Sequence, residues 1–139
     1  MIILDTNVLS ALAGQTPRAN VVSWLDSQPP ESIWITSITV FEARFGIETM
    51  TKGRRKRQLE TRFEEFLRLD IKNRVLEFDA MAATVAARLA AERQRAGRPV
   101  DFRDTQIAGI AMARKATLAT RNVRHFQGLA ITVVNPWDV

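Results

Sequence analysis

The first ten residues, 1-MIILDTNVLS-10, decide how the rest of the chain is read. Residues 1–4 are continuously apolar, without the polar alternation of a strand that keeps one face wet, so they read as a short strand buried on both faces. A carboxylate, a hydroxyl and a carboxamide follow at Asp5, Thr6 and Asn7. Apolar spacing resumes at Val8 and stops at Gly14, a helix ended by glycine. Strand, polar corner and helix make the first half of a βα unit, with Asp5 where the buried strand meets water. Asp, Thr and Asn are all favoured helix caps, and a carboxylate at such a corner is equally suited to hold a metal ion. The corner alone leaves both readings open.

Working outward, the same unit recurs. Residues 17–27, PRANVVSWLDS, read as a second helix with Pro17 near its first turn. IWIT (33–36) is strand-like, and Ser37 is placed to cap the helix that follows, in which Ile38, Phe41 and Phe45 recur at helical spacing. Residues 52–69 continue as a charged amphipathic helix with Leu59, Phe63 and Phe66 on one side, its basic start KGRRKR reading as an exposed turn. RVLEF (74–78) is strand-like. The helix of 79–97 has Asp79 as cap, Gly97 behind it, and a stripe of Met81, Val85 and Leu89; its many alanines would let another helix approach closely. Residues 101–116 form a further helix, TLAT (117–120) and ITVV (131–134) are short β-rich runs, and RNVRHFQG (121–128) is a loop or single helical turn. Strands alternating with helices from end to end predict an α/β layer fold with a mostly parallel sheet.

The composition fits that frame. A length of 139 residues suits one domain, 1–139, with one sizeable core. Apolar residues make up 46% and charged residues 25%, an ordinary globular mix. The net charge of +5 favours a polyanionic partner such as nucleic acid. There is no cysteine, which excludes disulfides, thiolate metal sites and a Cys nucleophile. The opening apolar run is too short for a signal peptide and no stretch approaches a membrane span, so a cytoplasmic protein without membrane contact is expected.

Ligands of open α/β sheets bind beyond the carboxyl ends of the strands. Asp5 follows the first strand, Glu42 lies one turn into the helix after the second, and Asn122 follows TLAT. Asp104 precedes its strand, so its approach depends on how its helix packs. Acids gathered at one edge repel one another and suit a hard cation with oxygen ligands. Asp101, one helical turn ahead of Asp104, is a cap before it is a ligand. His125, the only histidine, reads as a surface or packing residue, and Trp24, Trp34 and Trp137 as core or edge packing.

Four stretches together, IILDTNVLSAL (2–12), TSITVFEARFG (36–46), VDFRDTQIAGIAMARKATLATRNVRHF (100–126) and ITVVNPW (131–137), resemble a PIN-domain ribonuclease, with the closest look to the VapC/FitB type of bacterial toxin. The resemblance implies a three-layer α/β/α sandwich around a parallel sheet of about five strands, a common sheet size. It implies an endoribonuclease dependent on Mg²⁺ or Mn²⁺, acting on RNA as the toxin of a toxin–antitoxin pair. Asp5, Glu42 and Asp104 match the family's acidic positions as catalytic residues and metal ligands, directly or through water. Thr6, Asn7 and Thr120 match its supporting polar residues. Asn122 departs, standing where many members have Asp, which bears on whether one or two ions bind. Arg121 and Arg124 are phosphate candidates. The resemblance also implies a VapB- or FitA-like antitoxin and a homodimer. Two rivals stand beside it. One is a noncatalytic nucleic-acid or partner-binding module decayed at Asn122. The other is a receiver-like Mg²⁺ domain with Asp79 as phosphoacceptor, although the chain ends in Asn135-Pro136 where a receiver presents a lysine.

Overall fold

The computed structural model describes residues 1–14 and 17–139. Within them, β1 (Ile2–Leu4), β2 (Ile33–Thr36), β3 (Val75–Leu76), β4 (Thr117–Ala119) and β5 (Val133–Val134) alternate with α1 (Thr6–Ala13), α2 (Ala19–Asp26), α3 (Ser37–Glu48), α4 (Arg54–Glu65), α5 (Ala80–Arg95) and α6 (Phe102–Arg114). The sheet order is β3-β2-β1-β4-β5 and every pairing is parallel. The chain therefore runs outward from β1 in one direction, then returns to place β4 and β5 on its other side. The carboxyl ends of β1 and β4 flank the point where the order reverses, the preferred binding place of such sheets.

Two cores cover the two faces. Ile3 and Leu118 point to one, where α5, α6 and the buried Phe126 close over them. Leu4, Ile33, Ile35 and Ala119 point to the other, beneath Val8 of α1, Val21 of α2 and Ile71. Alternate residues of each strand thus feed opposite layers, and the α/β/α sandwich follows.

The alanines of α5 serve the interior. Ala82, Ala86 and Leu89 are buried, whereas Met81 is largely exposed, so the buried stripe is rotated one position from the expected Met81–Val85–Leu89 line. The cause is Gly109 of α6, where an added Cβ would come within 2.7 Å of both the Ala82 carbonyl oxygen and the Ala86 Cβ. Small residues on both helices let their backbones nearly touch, and that close approach sets the position of α6 and of Asp104 in its first turn.

Several local expectations shift. Thr36, not Ser37, caps α3, accepting from Thr39 N, while the Ser37 hydroxyl accepts from Phe78 N at 3.1 Å. α2 begins at Ala19 with Arg18 as N-cap, so Pro17 precedes its first turn. Ile38, Phe41 and Phe45 share helical spacing without forming a buried stripe: Phe41 and Phe45 stack on each other at the surface, 54% and 53% exposed. The basic run enters α4 directly, with Gly53 as its N-cap and Lys56 3.9 Å from Glu48. Beyond α4 the helix widens over Phe66–Asp70 by one π-type turn, in which Ile71 N bonds the Phe66 carbonyl.

Candidate active site

Asp5 is both cap and candidate ligand. Its Oδ1 accepts from Thr6 N at 2.8 Å, starting α1. Its Oδ2 accepts from the Thr120 hydroxyl at 2.8 Å and from Asn7 Nδ2 at 3.3 Å. β1 and β4 are adjacent and in register, Leu4 beside Ala119, so the residues that follow each strand meet. Thr120 Oγ1 in turn accepts from Asn7 Nδ2 and from Asn122 N, and Asn7 Oδ1 accepts from Arg121 N at 3.1 Å. Every polar atom of this corner is spoken for by a neighbour, which holds the Asp5 carboxylate in one orientation.

Asp5 is only 3% exposed. Burial raises its pKa above the ordinary value, the hydrogen bonds from Thr120 and Thr6 oppose the rise, and the nearby charges of Asp104 and Glu42 add to it. Those like charges repel one another, so it is the fold, through the Thr6 bond to Glu42 and the packing of α6, that holds the acids on one side of the sheet.

Glu42 reaches the corner through Thr6, whose hydroxyl donates to Glu42 Oε1 at 2.8 Å and lies 3.1 Å from the Thr39 hydroxyl. The other Glu42 oxygen faces Arg103 Nη1 at 3.5 Å, and the Arg103 guanidinium lies 5.4 Å from the Phe41 ring centroid. Asp104 Oδ2 contacts His125 Nδ1. Asp101 caps α6 by accepting from Asp104 N at 3.0 Å, which leaves Asp104 free to face the site. Asn122 contributes its backbone N–H; its side chain is exposed and bonds no other side chain among the described residues. Arg121 is exposed and lies over Trp137, its Cζ 5.2 Å from the ring centroid, and Arg124 is exposed in the turn Val123–Phe126.

Arg103 and His125 were missed as site residues. Arg103 adjoins Asp104 in sequence, but adjacent helix positions face different ways, so its reach to Glu42 depends on α3 lying alongside. His125, expected at the surface or in packing, is exposed yet sits on Asp104 because the Val123–Phe126 turn folds back under the buried Phe126. Asp79 caps α5 through Ala82 N at 2.9 Å, the role of a structural residue.

Among the described residues, no group of three His, Asp or Glu side chains stands close enough to hold one ion jointly. The acids lie on one side of the sheet without forming a ready cage. The donor set still fits a hard divalent ion. Its acids offer oxygen only, Mg²⁺ needs one or two carboxylates with waters completing its shell, and Glu42 already draws the Arg103 guanidinium.

The sequence profile of the PIN domain family matches residues 2–131. The chain belongs to the PIN domain family. "VapC ribonuclease Y4jK" of Sinorhizobium fredii is 36% identical over 99% of each chain. "Toxin FitB" of Neisseria gonorrhoeae is 34% identical, again over 99% of each. The solved "Structure of FitAB bound to IR36 DNA fragment" superposes with a TM-score of 0.91 at 34% identity, covering 100% of this chain and 97% of that one. The parallel five-stranded sheet of this PIN chain is therefore the fold of those relatives. No helix among its described residues is long and apolar enough to cross a membrane.

Proposed function

We propose that residues 1–139 form a single PIN nuclease domain, a metal-dependent endoribonuclease that acts as the toxin of a toxin–antitoxin pair. The observation that carries this reading is the buried Asp5 carboxylate, fixed by Thr6, Asn7 and Thr120 and coupled by charge to Glu42 and Asp104. The relatives named for ribonuclease and toxin activity support it.

Asp5, Glu42 and Asp104 would hold Mg²⁺ or Mn²⁺, directly or through water. Such an ion, when bound, lowers the pKa of water and offsets charge on a phosphodiester. The chain's own groups set the geometry. Thr120 and Asn7 keep Asp5 from rotating, Thr6 steers Glu42, and Asp104 would orient a water at phosphorus. Arg121 and Arg124 supply the phosphate contacts.

The antitoxin fits a second feature. A groove of about 590 Å³ runs from Thr6 and Glu42 between α1, α3 and α4, with Leu9, Ile47, Phe63 and Phe66 among its walls. Leu59, Phe63 and Phe66, the side of α4 expected from the sequence, all line it. An apolar helix laid there with a basic side chain reaching Glu42 would block the acids. Homodimer formation and a cytoplasmic location belong to the same reading.

The test is cleavage of RNA by purified protein with Mg²⁺ or Mn²⁺, with chelator, and in Asp5→Asn and Asp104→Asn. Activity should fall by orders of magnitude in both folded variants and vanish with chelator. Equal cleavage in all three proteins would sink the assignment. The noncatalytic alternative draws on the exposed Asn122 side chain and on the Arg103 and His125 contacts; RNA binding without any metal-stimulated cleavage would favour it.

A further inference from the structure

We propose that a second cavity, on the other flank of α1, is a subsite for the phosphodiester backbone of an RNA strand that continues past the acids. The proposal rests on the ribonuclease reading and extends it to this chain's own side chains.

The cavity is about 320 Å³ and is lined by Asn7, Ser10, Arg18, Arg121 and Trp137, with Ala11 and Gly14. No carboxylate lines it among the described residues, and both of its charged residues are arginines. Asn7 is the wall it shares with the site: one end of that amide serves Asp5 and Thr120, and the other fixes the backbone of Arg121. A strand whose phosphate lies at Asp5 would thus meet this cavity next.

Its chemistry selects an anion over a base. Arg121 lies across the Trp137 ring, so that face is closed to a stacking nucleobase, while the in-plane N–H edges of the guanidinium remain free to donate. Arg18 is exposed on the opposite wall, where it is the N-cap of α2; it offers no side-chain acceptor to the helix and the first turn carries no acid. The ring is held in place, since Asn20 Nδ2 donates to the Trp137 carbonyl at 2.9 Å and Trp137 N donates to Asn135 Oδ1 at 3.0 Å. Two guanidinium forks, with no opposing acid among the described residues, match phosphodiester oxygens.

The experiment is anisotropy titration of a short labelled oligoribonucleotide in EDTA, so that nothing is cut. Arg18→Gln and Arg121→Gln should each weaken binding by about threefold to tenfold and lower the salt slope by about one. Trp137→Phe, which keeps a ring beneath the Arg121 guanidinium, should stay within about twofold of the parent. Arg88→Gln, on the exposed side of α5, should bind as the parent does, and Mn²⁺ affinity should be unaltered in all four. Arg18 and Arg121 variants that bind as tightly as the parent and the Arg88→Gln control would overturn the subsite even if metal-stimulated cleavage persists. So would a parent protein that does not bind RNA in EDTA. Displacement of the strand by inorganic phosphate at constant ionic strength would reassign the cavity to a free anion. Intact subsite behaviour with no cleavage under any divalent ion would instead remove the nuclease reading and leave the strand contact standing.

Discussion

Thr120 Oγ1 donates to Asp5 Oδ2 at 2.8 Å, joining the corner after β4 to the corner after β1 across 115 positions of sequence. Thr120 is fully buried, and the same hydroxyl accepts from Asn7 and Asn122. Thr120→Val keeps the shape and removes all three bonds. The cost should be about 1–3 kcal/mol, the penalty of buried polar partners left unpaired, read as a lower urea midpoint. Thr120→Ser should recover most of it. Equal loss in Ser and Val would mean that the methyl packing, not the hydroxyl, carries the stability.

Asp5 gives a pH dependence of known sign. Its folded pKa lies above the ordinary value near 3.8, chiefly through burial. Over the interval between those values the native state binds more protons than the unfolded chain, so its stability falls as pH rises and then levels off above the raised pKa. Asp5→Asn removes that titration. Its own mismatch, an amide N–H₂ facing the Thr120 and Asn7 donors, is the same at every pH. The melting temperature of Asp5→Asn minus that of the parent should therefore increase from pH 3.5 upward, by the ordinary carboxylate range, and reach a plateau. A difference that shrinks as pH rises would contradict the burial of this carboxylate.

Two glycines should respond oppositely to alanine. Gly109→Ala would press a methyl against the Ala82 carbonyl and Ala86 at 2.7 Å, forcing α5 and α6 apart; about 1–3 kcal/mol of destabilisation is expected. Because α6 carries Asp104, cleavage should fall further than the loss of folded protein explains. Gly46 on α3 has nothing within 4 Å of an added Cβ, so Gly46→Ala should stabilise by about 0.5–1 kcal/mol through the helix backbone alone. Calorimetric melting of both variants checks the pair.

The order of strands and helices was legible because each βα corner is written locally: MIIL then DTN, IWIT then TS, TLAT then RN. Asp5 and Glu42 follow from those corners, since a parallel sheet brings its carboxyl ends together; Thr6, Asn7 and Thr120 enter as supporting residues through the resemblance. Asp104 was legible only through resemblance, because its approach depends on Gly109 fitting α5: the alanines of α5 announce a close helix neighbour but not which helix it is. The same limit hid Arg103 and His125, whose site contacts come from neighbouring elements. It also misplaced the α5 stripe: Met81 looks like core by hydrophobicity, but the closest helix approach requires the smaller Ala82 and Ala86 inside. Phe41 and Phe45 misled for the opposite reason, being apolar residues on a face that the monomer leaves open.

Arg103 sets the last expectation. Its guanidinium lies 3.5 Å from Glu42 Oε2 and is half-exposed, steadied by the Phe41 ring. An ion at the acids would have to share Glu42 with it. Exposed pairs of this kind contribute about 0.2–1 kcal/mol, so Arg103→Gln should tighten Mn²⁺ binding by about twofold to fivefold in calorimetry. Glu42→Gln should abolish the difference between Arg103 and Gln at that position, since the shared partner is gone. If Arg103→Gln weakens Mn²⁺ binding instead, the arginine supports the acids' arrangement and does not compete for it, and its place would move from the cation's rival to part of the scaffold.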